Sequence, residues 1–201
     1  MARSGPRPGL DEAGVLRAAA DLVDAEGLSA LSLARLADVL GVRTPSLYNH
    51  VAGLEGVRRG LAVMGVRELR DRLARAAVGK SGEEAIFAVA TAYRQFAKEH
   101  PGLYAASLRA PGADETALVA ASEDTLTILR AVLAPYALRD AAEVHAMRAF
   151  RSLAHGFVSL ELAGGFGMPV ELDQSYRALV QLLVAGLRGE TSRAVDHRNQ
   201  E

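Results

Sequence analysis

Cysteine is absent from the 201-residue chain, so neither a disulfide framework nor a thiolate metal site is possible. No apolar run approaches the length needed to span a bilayer, and Met1 to Gly9 is polar and rich in proline and glycine, without the apolar core of a signal peptide. A soluble, cytoplasmic protein with no membrane partner is the expectation. Excess positive charge is missing too. The formal net charge is −1, and over the first 59 residues Arg3, Arg7, Arg17, Arg35, Arg43, Arg58 and Arg59 are offset by Asp11, Glu12, Asp21, Asp24, Glu26, Asp38 and Glu55. Non-specific DNA affinity comes mainly from phosphate neutralisation, so a histone-like coat is excluded.

Catalytic signatures are equally scarce. His50, His100, His145, His155 and His197 are scattered, with no His-Glu-x-x-His pattern and no carboxylate pair at metal spacing. Ser152 and His155 share a helix face but lack a nucleophile elbow and a third member. The run Gly164-Gly165-Phe166-Gly167 lacks the Lys-Ser/Thr of a phosphate-binding loop and reads as a helix terminator. Catalytic residues, metal ligands, cofactors and enzymatic activity are accordingly not expected. No strand pattern competes anywhere.

What is present is half the chain hydrophobic, enough to bury a core in one or two domains. The most informative stretch is Leu33 to His50. Leu33, Leu36, Ala37 and Leu40 recur at helical spacing behind Ser32, an N-cap able to satisfy a free backbone N–H. Gly41 stops that helix where a left-handed residue costs least, and Val42 is placed to plug the turn. Thr44-Pro45 then opens a second helix, to about Val51, with a capping hydroxyl followed by proline at the first helical position. It carries Ser46, Tyr48, Asn49 and His50 on much of its surface. Two helices crossing through a glycine turn, the second rich in hydrogen-bonding groups, is the helix-turn-helix arrangement for the DNA major groove.

The wording from Ala25 through Leu61, with Gly27, Ser32-Leu33, Leu36-Ala37, Leu40-Gly41-Val42, Leu47-Tyr48 and His50-Val51, closely resembles the DNA-binding domain of TetR-family repressors. The resemblance implies that Thr44, Pro45, Ser46 and Asn49 face base edges. Asn49 can pair bidentately with adenine and Pro45 can pack on a thymine methyl. Tyr48, His50, Arg43 and Ser32 are the implied phosphate contacts. Many family members have lysine where this chain has Leu54, so that contact is absent here.

Along the rest of the chain the pattern predicts an all-α fold of about nine helices: a three-helix DNA-binding domain and a helical bundle. The expected divisions are an arm and helix-turn-helix domain at 1–53, a connecting helix at 54–80, a ligand-binding and dimerisation domain at 81–188 and a disordered tail at 189–201. Arg3 and Arg7 of the arm can reach a phosphate or the minor groove, or belong to a disordered terminus. A first helix ends at Gly27 and a fourth runs from about Leu54 to Val78. Gly56, Gly60 and Gly65 within it read either as close packing or as a compliant connector. Ser81 with Glu84 forms a capping box, and Pro101 and Pro135 break helices. Asp140 caps a long eighth helix, and the last runs from Asp173 to about Leu187.

The final helix carries Tyr176, Leu179, Val180, Leu183, Val184 and Leu187 on one broad face, with much of the opposite side nearly apolar. A helix apolar on two sides is buried on two sides. With Phe150, Leu153, Phe157 and Leu160 of the preceding helix, these residues form the expected interface of a homodimer, and TetR-like proteins are similarly joined through their last two helices. The polar side of the eighth helix, His145, Arg148, Ser152, His155 and Ser159, reads as a solvated face, a dimer seam or a pocket wall. Leu153-Ala154-His155-Gly156-Phe157 resembles the Trp-His-Gly segment of one C-terminal class of the family, with Ala154 in place of its tryptophan. The resemblance implies release from a double-stranded DNA operator by a small-molecule effector. Tyr93, Phe96, Tyr104, Leu108, Leu126, Leu129, Arg130, Arg148 and His155 are the candidate pocket, each of which could instead be plain core. A helical protein-interaction module without specific DNA binding is the alternative.

Overall fold

A computed structural model describes residues 10–112 and 114–198. The arm with Arg3 and Arg7 lies outside the described residues. Among those described the chain forms nine α-helices, two 3-10 turns and no strand, the all-α fold that the periodicity predicts. No described helix is long and apolar enough to cross a membrane.

The helices sort into two compact units. The first takes the chain up to Gly65 together with His100–Pro111; the second takes Val66–Glu99 and everything from Gly112 on. Helix α1 (Glu12–Glu26), α2 (Leu33–Leu40), α3 (Thr44–Leu47), the start of α4 (Gly53–Ala77) and α6 (Pro101–Ala106) belong to the first unit. In the second are the remainder of α4, α5 (Gly82–Glu99), α7 (Thr116–Leu133), α8 (Asp140–Leu162) and α9 (Leu172–Arg198). That α6 packs against α1 in this unit is not announced by the residue pattern.

In the first unit Val15, Leu22, Val23, Leu36, Leu47, Val57 and Leu61 are all nearly inaccessible. Burying each such side chain contributes about 1.5–3 kcal/mol. Asp11 caps α1, its carboxylate accepting the Gly14 N–H at 2.7 Å. Two of the α4 glycines stand at close packing: a Cβ on Gly60 would meet the Leu16 side chain at 2.5 Å, and one on Gly65 the Leu103 carbonyl at 2.7 Å.

The second unit closes around Ile86, Val89, Tyr93 and Phe96 of α5, Leu118 and Leu133 of α7, Phe150, Ala154, Phe157 and Val158 of α8, and Tyr176, Val180, Val184 and Leu187 of α9. Within it sits an ion pair that no hydrophobic pattern foretells. The Arg94 guanidinium grips Glu161 bidentately at 2.7 and 2.8 Å and reaches Asp173 at 2.8 Å. It lies over the rings of Phe157 and Tyr176, 5.4 and 5.1 Å from their centroids. Lys98 adds a 2.7 Å contact to Glu161, and the Tyr176 hydroxyl donates to the Ala90 carbonyl at 2.8 Å. Arg94 and Glu161 side chains are only 11% and 9% exposed, so each charge depends on the other.

Several boundaries differ from expectation. Arg43, not Thr44, holds the extended capping conformation before α3, and the helix stops at Leu47 instead of Val51, continuing as turns. Asp140 begins α8 behind the extended Arg139 and does not cap it. Pro101 opens α6 rather than only ending α5, as its missing N–H permits at a first turn. The backbone of α9 runs on to Arg198, past the expected end near Leu187.

The Arg94 pair gives the stability a defined pH response. Hydrogen bonding to Arg94 chiefly, opposed by burial, holds the Glu161 carboxyl below its ordinary value. Its folded-state pKa therefore lies below the unfolded one, so its contribution is complete above the ordinary carboxylate range and is lost as pH falls through the lowered value. Glu161→Gln is expected to destabilise the protein at pH 7 and to narrow the wild-type loss between pH 7 and pH 3, read by urea denaturation.

Candidate nucleic-acid interface

The turn between α2 and α3 is built from backbone hydrogen bonds. Gly41 adopts φ 65° and ψ 33°, the left-handed region that a Cβ disfavours. Its N–H donates to the Asp38 carbonyl at 3.2 Å while the Val42 N–H reaches the Ala37 carbonyl at 3.0 Å, the paired bonds of a Schellman stop. At the other end of α2, the Ser32 hydroxyl oxygen accepts the Arg35 N–H at 3.1 Å, as the capping pattern predicts. A second tie was not legible: the Arg35 guanidinium pairs with Glu26 at the end of α1, with Nε at 3.1 Å. That hydrogen bond lowers the Glu26 pKa and raises that of Arg35. Nothing in periodicity or motif marks a contact nine residues apart across a glycine turn.

With four residues, α3 has almost no intrahelical bonding of its own. It is held by Leu47, fully buried, and by the following turns, in which the His50 and Val51 N–H groups donate to the Leu47 carbonyl at 2.9 and 3.0 Å. Leu36, Ala37 and Val51 are buried as well. The remaining side chains face outward. Arg43, Pro45, Tyr48 and Asn49 are exposed, Tyr48 by 62%, and Ser32, Thr44, Ser46 and His50 are half-buried. All eight residues expected at DNA thus lie on α3 and its two flanking turns or at the cap of α2. Arg58 and Arg59, on the first turns of α4, are exposed too.

The expected dimer face separates into two groups. Phe150, Phe157, Tyr176, Val180, Val184 and Leu187 are buried inside the subunit as part of its core. Leu153, Leu179 and Leu183 are half-buried, and Leu160 is 51% exposed. Leu182, on the opposite, nearly apolar side of the same helix, is 71% exposed. The turn offset that buries Tyr176 and Val180 against α5 leaves the side bearing Ala178, Leu182 and Ala185 outward.

The candidate ligand residues fall in both units. Tyr104 and Leu108 belong to the first unit, the other seven to the second. Tyr93, Phe96, Tyr104 and Leu129 are core; Tyr93 meets Phe150 edge-on and Phe96 lies under the Arg72 guanidinium. Leu108, Leu126 and His155 are half-buried, while Arg130 and Arg148 are exposed. A groove of about 980 Å³ between α5 and α9 is lined instead by Phe87, Thr91, Arg94, Lys98, Arg177 and Gln181, among others. No described group of His, Asp or Glu could hold a metal ion.

Three packed helices, a Schellman turn and a short exposed helix of polar and aromatic side chains define a helix-turn-helix DNA-binding protein. Comparison with known proteins sharpens this. Residues 86–183 match the family model for the tetracyclin repressor-like C-terminal domain. The chain is 36% identical over 182 residues to the HTH-type transcriptional regulator YobS of Bacillus subtilis, covering 90% of this chain and 95% of that one. It is 34% identical to the HTH-type transcriptional regulator Rv0681 of Mycobacterium tuberculosis, over 91% of this chain and 84% of the relative. A TetR variant of Acinetobacter baumannii, solved in complex with minocycline, has the same fold at TM-score 0.67 and 20% identity, covering 90% of this chain and 98% of that one. The chain belongs to the TetR family of transcriptional regulators. Its relatives are regulators, not enzymes.

Proposed function

We propose that the protein acts in the cytoplasm as a repressor that binds a palindromic operator as a homodimer and is released by a small-molecule effector. The observation that carries the reading is the outward-facing α3. Arg43, Pro45, Tyr48 and Asn49 are exposed on a segment in which the Ser46, Tyr48, Asn49, His50 and Val51 N–H groups donate to backbone carbonyls three or four residues back. Thr44, Pro45, Ser46 and Asn49 are assigned to base edges, and Arg43, Tyr48 and His50 to phosphates. The Ser32 oxygen already accepts the Arg35 N–H, which leaves its hydroxyl hydrogen for a phosphate.

One such helix reads few base pairs. A two-fold pair reads two half-sites about one DNA turn apart, roughly 34–36 Å. The outward side of α8 and α9 supports a second copy as the partner. A groove of about 480 Å³ is lined by Leu138, His145, Ala149, Leu182 and Gly186. Gly156, Gly186 and Gly189 sit within helices although a Cβ on any of them would meet nothing in the subunit. Each costs up to about 1 kcal/mol of helix stability relative to alanine. Close approach of another backbone is the physical reason to keep them.

The minocycline bound by the Acinetobacter neighbour supports an effector of similar size for this chain. An effector releases DNA only if it binds the DNA-incompetent state more tightly. Its site is proposed in the second unit, near the ring-rich interior of Tyr93, Phe96 and Leu129, with Leu126, Arg130, Arg148 and His155 around it.

Selection of genomic fragments by the purified protein, followed by mobility shift at fixed salt, is expected to return an inverted repeat. A folded protein that enriches no sequence would leave the interaction-module reading in its place. On the recovered fragment, Asn49→Ala is expected to cost about 1–3 kcal/mol at one base pair per half-site and to relax specificity there. An equal loss on every sequence would remove its base-reading role. Leu182→Glu is expected to yield a helical monomer in sedimentation, with operator binding lost.

A further inference from the structure

Asp24 is misplaced for its own helix. It lies in the last turn of α1, where the carbonyl end of the helix dipole disfavours a carboxylate. Its contacts lie elsewhere. Oδ1 accepts the Leu103 N–H at 2.8 Å, and Oδ2 lies 2.8 Å from Nδ1 of His100. His100 precedes α6 and supplies no side-chain cap of its own, so the Leu103 N–H near the start of that helix is capped from α1. The Asp24 side chain is 19% exposed.

The backbone has been brought close to allow this. A Cβ on Gly102 would stand 2.0 Å from the Val23 carbonyl oxygen and 2.7 Å from the Asp24 nitrogen. Only glycine lets α6 lie directly on the end of α1. A Cβ on Gly65 of α4 would likewise stand 2.7 Å from the Leu103 carbonyl oxygen. Two residues beyond Asp24, Glu26 grips Arg35 of α2, and α2 packs on α3. A continuous set of contacts thus runs from the start of α6 through the last turn of α1 to the helix that faces DNA.

We propose that Asp24 is a positioning residue for DNA recognition: by clasping the start of α6 it fixes the end of α1, and through Glu26 and Arg35 the orientation of α2 and α3. Operator affinity then depends on a carboxylate that touches no DNA. The proposal rests on the regulator reading. The α6 segment enters from the second unit at Glu99/His100 and returns to it at Pro111/Gly112, so the clasp stands beside one of the chain crossings.

The test uses the full chain and Asp24→Ala, with the selected genomic fragment and a scrambled duplex of equal length as probes. Losing a charged hydrogen-bond acceptor to a part-buried N–H is expected to weaken binding to the selected fragment about tenfold or more, with scrambled-duplex binding unchanged. Hydrogen exchange of the free protein is expected to quicken both in 101–106 and in 33–51. Asp24→Asn keeps an acceptor for Leu103 and is expected to shift both readouts in the same direction by less. Should Asp24→Ala fail to fold, Asp24→Asn decides. Unchanged specific affinity, or faster exchange confined to 101–106, overturns the proposal and leaves Asp24 a local cap. Should no fragment be selected, the regulator reading fails, while the exchange measurement still decides whether the clasp reaches α2 and α3.

Discussion

A helix of one turn has no stability in isolation, because fixing its backbone costs more than its few hydrogen bonds return. The four residues of α3 can present side chains to solvent only because other parts of the first unit hold them. Leu47 anchors them from below, the Schellman bonds of Ala37 and Asp38 set their approach, and α2 is tied to α1 through Glu26 and Arg35. Helix α1 is in turn capped by Asp11 and packed beneath α6 through Gly102. The constraint that a short helix be held from outside accounts for most of what the first unit contains.

The second unit is organised around a different kind of contact. Arg94 and Glu161 are charges largely removed from water, flanked by Phe157 and Tyr176 and extended by Lys98 and Asp173. Such a pair is weak evidence for added stability, since an apolar substitute of the same shape can do as well. It is strong in a different respect. Burial makes any arrangement that separates the two charges costly, so α5, the end of α8 and the start of α9 meet in one register.

Much of this was legible from residue order. Ser32, Gly41 and the apolar spacing of α2 announced the helix-turn-helix because caps and turns are local chemistry, settled within four or five residues. The all-α pattern was legible for the same reason. Contacts between distant residues were not: Asp24 with His100, Glu26 with Arg35 and Arg94 with Glu161 join ordinary charged residues that any solvated helix face carries. The division of α9 between core and exterior failed for a related reason. A helix apolar nearly all round has no polar stripe to mark its rotation, so Tyr176 and Val180 could not be told from Leu182 until α5 was seen against one side.

The chain enters and leaves the first unit more than once, and this bears on how such proteins can be recombined. The first unit is not a contiguous piece: His100–Pro111 completes it from far along the sequence. A hybrid joined at the end of the helix-turn-helix carries the reading helix into a new protein without its native α6, and the acceptor must supply a helix with glycine in its first turn against the Val23 carbonyl. Exchange of reading heads between relatives is therefore governed by the fit of that one borrowed helix, and a compatible α1 and α6 must travel as a matched pair.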